Sequence, residues 1–319
     1  MRWLAAILAL AMLAPAPAYA QYPTKPIRLV VPFAPGGSSS IVARVVAAEM
    51  SKELGQQIII DNKPGGGGNV AMLEVARAEP DGYTLIIGHI GTLAVNPYMF
   101  AKLPFDVDKD FVPVSLLAKV PNIFVVNASV PAKDLKEFVA LARAKPGQLN
   151  YGSAGNGSAG HLAFEYLKLV TNIDVAHVPY KGTGPQLTDL LGGRTDASSA
   201  GTPPLLPHVK SGKLRAIAVG LPQRIPSLPE VGTVAEQGYP GFETSQWYGI
   251  IAPAKTPEAI VMRLAAEAAK AAKTPAVAER FAADDAIAVG STPAEFAAFI
   301  KQEQARWSEV VRKAGVKAD

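Results

Sequence analysis

Short apolar runs alternate with stretches of helical period along almost the whole chain, and this pattern limits the fold more than any motif does. Ile27–Phe33 reads as a buried strand, Ile41–Leu54 as a helix stopped by Gly55, and Gln57–Asp61 as the next strand. Gly68–Ala78 reads as a helix and Tyr83–Gly88 as a third strand. A long extended stretch follows, Val112–Val120 and Asn122–Asn127, which Pro121 is expected to break. The alternation then restarts. Asp134–Ala144 sets Leu135, Phe138, Val139 and Ala142 on one helical face, and Pro146-Gly147 ends it. Strand Leu149–Tyr151, helix His161–Val170, strand Val175–Tyr180, helix Gln186–Leu191 and strand Leu214–Gly220 come next. After the Pro-rich "LPQRIPSLPEVG" come a strand at Trp247–Ala252 and a helix at Pro257–Lys273. A short strand at Ala286–Gly290 and a helix at Pro293–Lys313 complete the reading.

Alternating β and α predicts α/β domains with largely parallel sheets. The restart predicts a second domain, and the last strand and helices predict a return to the first. The expected division is 21–122 plus 246–319 for domain 1 and 123–245 for domain 2. Two chain crossings of this kind make a hinged pair of Rossmann-like domains with a central cleft.

Residues 1–20 read as a secretory signal peptide. Arg2 is the positive start, Leu4–Leu13 is an apolar run shorter than the about 20 residues a membrane span needs, and Ala18-Tyr19-Ala20 is a cleavage site. A periplasmic location is therefore expected. Cleavage would leave 299 residues, enough to bury two cores, and a net charge of +3. The charges are dispersed, without a Lys/Arg run interleaved with aromatics, so nucleic-acid binding has no footprint. The chain has no cysteine. Thiol chemistry, cysteine metal sites and a lipid anchor at the cleavage site are excluded with it.

Two loops stand out. "LVVPFAPGGSSSIVARV" and "LNYGSAGNGSAGHLAFEY" each join a strand to a helix through Gly and Ser, one per expected domain. A helix N-terminus leaves about four backbone N–H groups unpartnered and carries about half a positive charge. Glycine lets a ligand approach that backbone, serine adds donors, and a small anion can be held with no basic side chain. A carboxylate and a pyrophosphate both suit such a loop.

Gly155-x-Gly157-x-x-Gly160 has dinucleotide-binding spacing, but the acidic residue expected after the next strand is missing: Val175–Tyr180 ends in Tyr180-Lys181-Gly182, and Asp174 lies at the wrong end. A P-loop is absent, since Gly212-Lys213 is followed by Leu214. No Ser has glycines at both −2 and +2, so the nucleophile elbow is missing. His89, His161, His177 and His208 form no H-E-x-x-H pair, and His161 with Glu165 reads as a surface or capping pair. Gly65–Gly68 before Asn69 reads as a flexible structural turn.

The blocks "YPTKPIRLVVPFAPGG", "NKPGGGGNVA", "PDGYTLIIGHIGT", "NPYMFAKLPFD", "KDFVPVSLLA", "NYGSAGNGSAGHLAFE", "HVPYKGTGPQLTDLLGG", "SGKLRAIAVG" and "WYGIIAPAKTP" occur in this order. Together they make nearly all of the chain after residue 20 resemble the Bug-type (TctC-like) periplasmic receptors of tripartite tricarboxylate transporters. The resemblance implies a Venus-flytrap fold of the type II periplasmic-binding-protein class, without catalysis, cofactor or metal. It implies one small carboxylate in the cleft, passed by a monomer to membrane transport subunits. By the same resemblance, Phe33, Ala34, Gly36, Gly37, Ser38, Ser39 and Ser40 hold one carboxylate, with Gly91 and Thr92 beside them. Ser153, Ala154, Asn156, Gly157 and Ser158 contribute from the second domain, with Tyr180 and Gly182. Two positions depart from the family pattern: Ser40 stands where Asp is common, and Leu93 where His is common. A missing acid at 40 predicts a pocket suited to a more anionic ligand, or one without an amine. The rival readings are a ligand-presenting sensor for a histidine kinase and an exported enzyme using His89 or His161 as base.

Overall fold

The computed structural model describes residues 22–315; the segment read as a signal peptide lies outside them. Its strands form one mixed ten-stranded sheet in the order β2-β1-β3-β9-β4-β7-β5-β6, with β8 and β10 also on β4. The strands are β1 Ile27–Val31, β2 Ile58–Asn62, β3 Thr84–His89, β4 Phe111–Asn127 and β5 Asn150–Ser153. The remainder are β6 Ala176–Pro179, β7 Ala197–Gly201, β8 Leu214–Val219, β9 Ser245–Pro253 and β10 Ile287–Ala288. β1 runs parallel to β2 and β3, and β5 parallel to β6 and β7. β4 and β9 are antiparallel to their neighbours.

The helices pack on both faces: α1 Ser38–Leu54, α2 Asn69–Ala76, α3 Asn96–Met99, α4 Leu135–Ala144 and α5 Ala159–Thr171. After them come α6 Thr183–Leu191, α7 Thr202–Lys210, α8 Glu258–Ala271, α9 Pro275–Ala282 and α10 Pro293–Ala314. The period of two in each strand sorts the core. Ile27, Leu29 and Val31 of β1 pack with Val42, Val46 and Met50 of α1 and Leu264 of α8. Val30 faces the opposite layer, with Met72 of α2 and Phe296 and Trp307 of α10. Beyond the crossing, Phe124 and Val126 of β4 join Phe138 and Phe164, while Ile123 and Val125 join Leu190, Leu205 and Leu206. Each buried aliphatic or aromatic side chain of this kind contributes roughly 1.5–3 kcal/mol. The result is two α/β domains with a cleft between them, as the family resemblance implies, but the sheet is mixed and not largely parallel, because β4, β8, β9 and β10 pair antiparallel.

Pro121 does not break the strand. β4 is continuous from Phe111 to Asn127, and Pro121 faces Ser245 in the last pair of the β9 ladder. From Asn122 onward the partner is β7. A residue without an N–H costs least at such a change of ladder. Four elements are absent from the sequence reading: α3, β7, α7 and α9. Several ends also shift by one to three residues. α5 starts at Ala159, two residues before the expected His161, because Ser158 caps it and accepts from His161 N. α6 starts three residues before Gln186.

Candidate functional site

Three helices point their N-termini at one cavity of ≈ 30 Å³. α1 supplies Ser38 and Ser39, α5 supplies Ala159 and Gly160 after their cap Ser158, and α6 supplies Thr183. Neither α1 nor α6 has a side-chain cap, so their first N–H groups are left for another acceptor. The walls are completed by Phe33, His89, Ile90, Ala154, Ser199, Ala200, Gln246 and Tyr248. No Lys, Arg, Asp or Glu lines it. An anion placed there would meet helix-end peptide dipoles and no charged side chain.

The domains meet around this cavity. Ala34 N–H donates to the carbonyl of Lys181 at 3.0 Å. Gly36 and Gly37 lie against Gly184 and Thr183, and Gly182 against Ala34. On the other flank, Gly67 lies against the carbonyl of Asn156, and Gly91 against that of Gly157. The cleft is shut.

Burial decides the protonation of the ring groups. His89 is 3% exposed, and desolvation pushes its pKa down to about 3, so the ring is neutral at pH 7. Thr92 N–H donates to its Nδ1 at 3.2 Å, which places the ring proton on Nε2. That Nε2 has no partner among the described residues. The phenol of Tyr248 is pushed well up by burial, stays protonated and donates to Gln246 Oε1. Gln246 in turn donates to Asn122 Oδ1 at 2.5 Å.

Residues 42–316 match the family model described as "Tripartite tricarboxylate transporter family receptor". The chain belongs to this receptor family. BugT of Bordetella pertussis is 38% identical over 297 residues, covering 93% of this chain and 91% of BugT. A solved structure from R. palustris with adipate is 36% identical at a TM-score of 0.90, covering 93% of this chain and 99% of that one. MatC from Rhodopseudomonas palustris, with bound malate, is 38% identical at a TM-score of 0.88, covering 91% and 100%. The protein is thus a solute-binding receptor of the periplasmic Bug type.

In the receptor the expected site residues fall into three groups. Phe33, Ser38, Ser39, Ala154 and Ser158 line the cavity. Ala34, Gly36, Gly37 and Gly182 form the seam where the domains meet. The others do not line the cavity and instead hold neighbouring groups in place. Ser40 turns its hydroxyl to Asn62 Nδ2 at 2.8 Å, and the same amide holds the carbonyl of Phe33. Thr92 fixes His89. Ser153 Oγ pairs with His177 Nε2 at 2.6 Å, and Tyr180 donates to Asp189 at 2.8 Å. Gly157 N–H donates to His161 Nδ1 at 3.2 Å, Gly91 sits beside His89, and Asn156 offers its carbonyl side to Gly67. Leu93 is buried over Gly88, away from the cavity lining.

His161 and Glu165 are not a surface pair. His161 is buried, its pKa pushed down to about 4 by burial, and its ring stacks on His177 at 4.2 Å. Glu165 accepts from Tyr151 and Lys168 instead. Gly65–Gly68 is also more than a flexible turn, since Gly67 abuts the opposite domain. Sequence reasoning missed Thr183 at the start of α6 and, within strands, Ser199, Gln246 and Tyr248 as wall residues, and considered His89 only as a base. The one available signal for the strand residues was polarity inside otherwise apolar or small-residue strands.

Proposed function

We propose that this receptor captures a small carboxylate between its domains and presents it to the membrane subunits of a tripartite tricarboxylate-type transporter. The carrying observation is the convergence of three helix N-termini on a cavity with no charged side chain. In this reading Ser38, Ser39, Ser158 and Thr183, with the N–H groups around them, bind the carboxylate. Phe33 and Ala154 pack against its carbon chain. The seam residues lock the shut form, in which ligand contacts from both domains exist together. The hinge lies where β4 and β9 cross, giving domains 21–122 plus 246–319 and 123–245. Export by residues 1–20 and action as a monomer complete the proposal.

The relatives' ligands guide the choice of probe: adipate and malate are small dicarboxylates. A thermal-shift panel of di- and tricarboxylates, amino acids, amines and sugars tests the reading. Carboxylates should raise the melting temperature; a ligand at 100 times its Kd adds about 2.7 kcal/mol. A shift with amines or sugars and none with any carboxylate would overturn it.

A further inference from the structure

Two buried polar groups on opposite walls of the cavity lack partners among the described residues: His89 Nε2 from domain 1 and Ser199 Oγ from domain 2. They are 3% and 1% exposed. Leaving such groups unsatisfied in a core is costly, so their place on a ligand cavity calls for an explanation. His89 is held from three sides. Thr92 N–H occupies Nδ1 at 3.2 Å, His89's own N–H bonds Thr92 Oγ1 at 3.2 Å, and its ring stacks on Phe33 at 4.7 Å. The tautomer is thereby fixed with Nε2 as donor. A donor can meet only an acceptor; an ammonium placed there would face an N–H.

We propose that His89 is a specificity-determining ligand residue, its Nε2–H donating to an oxygen of the bound acid, with Ser199 Oγ completing that subsite from the other domain. The inference rests on the carboxylate reading above and deepens it. It adds a side-chain subsite to a site otherwise built from backbone N–H groups and serine or threonine hydroxyls. It also makes His89 a ligand-reading group in place of a general base. The subsite favours a carboxylate or hydroxyl oxygen over an amine. The adjacent Thr92 acts as a positioning residue, setting the tautomer.

The test uses the full-length mature receptor and whichever of malate and adipate binds it more tightly. Calorimetric titration should show a loss of roughly 10- to 100-fold for His89→Phe, which keeps an aromatic ring over Phe33 but has no donor. His89→Gln, which keeps an N–H donor, should recover part of that loss, and Ser199→Ala should lose less than His89→Phe. On the unsubstituted receptor, the ¹⁵N and proton signals of His89 Nε2–H should move on ligand addition while Nδ1 stays unprotonated. A structural role would not produce that shift, and this measurement does not depend on whether a variant folds. If the receptor binds a carboxylate while His89→Phe binds it equally and the Nε2–H signal stays still, the inference is overturned and the carboxylate reading stands. If no carboxylate binds the unsubstituted receptor, both fall together.

Discussion

The backbone N–H of Ala34 donates to the carbonyl oxygen of Lys181 at 3.0 Å, tying the first Gly/Ser loop of one domain to the α6 entry loop of the other. One turn further, Gly184 sits under Pro35, and a Cβ there would overlap the Pro35 carbonyl oxygen. The seam is therefore backbone against backbone, and any added side chain holds it apart.

Gly184→Ala separates closure from folding. The position is in the first turn of α6, where alanine is a better helix former than glycine. The clash exists only while the 32–37 loop is docked. Carboxylate affinity should fall at least about tenfold, equivalent to about 1.4 kcal/mol, while the unliganded melting temperature holds or rises. Calorimetric titration beside a thermal melt checks both; parent-like binding would show that this contact does not limit capture.

Ser158→Asp separates the cap from the cavity. Aspartate caps a helix as well as serine does, so α5 and overall stability should stay near the parent. Its charge, however, would stand on the cavity wall and repel an anion. Affinity should fall by roughly 100-fold or more. Ser158→Ala should show the opposite balance, losing about 1 kcal/mol of stability with a smaller effect on binding. Denaturant unfolding and titration of the two variants side by side distinguish these outcomes.

Ser40→Asp introduces the acid that the family resemblance leads one to expect at this position. The new carboxylate would accept from Asn62 Nδ2 in place of the hydroxyl and sit in the first turn of α1, where negative charge is favourable. Because Ser40 is 2% exposed, desolvation of the new charge should outweigh that gain and lower stability. Binding of a dianion should weaken several-fold and gain salt dependence. Unchanged dianion affinity would show that position 40 does not contribute to the field in the cavity.

The buried rings make stability fall with acid. The pKa of His89 is lowered to about 3 and that of His161 to about 4, both chiefly by desolvation, against 6.5 for a free ring. Below pH 6.5 the unfolded chain takes up protons that the folded one refuses. Stability is thus full above 6.5 and is lost as the pH falls toward 4, by about 1.4 kcal/mol per pH unit for each ring. Urea midpoints measured between pH 7.5 and 5 should decline along this slope. A flat profile would mean that the rings are solvated in the folded state.

Much of this molecule was legible because its strands are short apolar runs between clear helix signals. β1, β3, β8 and β9 announce themselves in this way, and the two Gly/Ser loops mark where the helix N-termini meet. β7 was not legible, and the reason is physical. "ASSAG" is wholly buried yet has no apolar alternation. Gly160 of α5 packs so closely on the carbonyl of Ser199 that no Cβ would fit between them. The strand is correspondingly small in its side chains, which removes the pattern that would reveal it. Gly67 was misjudged for a related reason: its neighbour, the Asn156 carbonyl, is distant in sequence and local pattern carries no trace of it.

A crystal structure of the receptor with its tightest-binding carboxylate tests the central claim most directly. One carboxylate should lie in the cavity, its oxygens within hydrogen-bond reach of N–H groups at the start of α1 and of α5 or α6, with no basic side chain in contact. The claim would be contradicted by an acid bound instead in the groove beside Lys119 and Arg306, where cationic side chains are available outside the cleft.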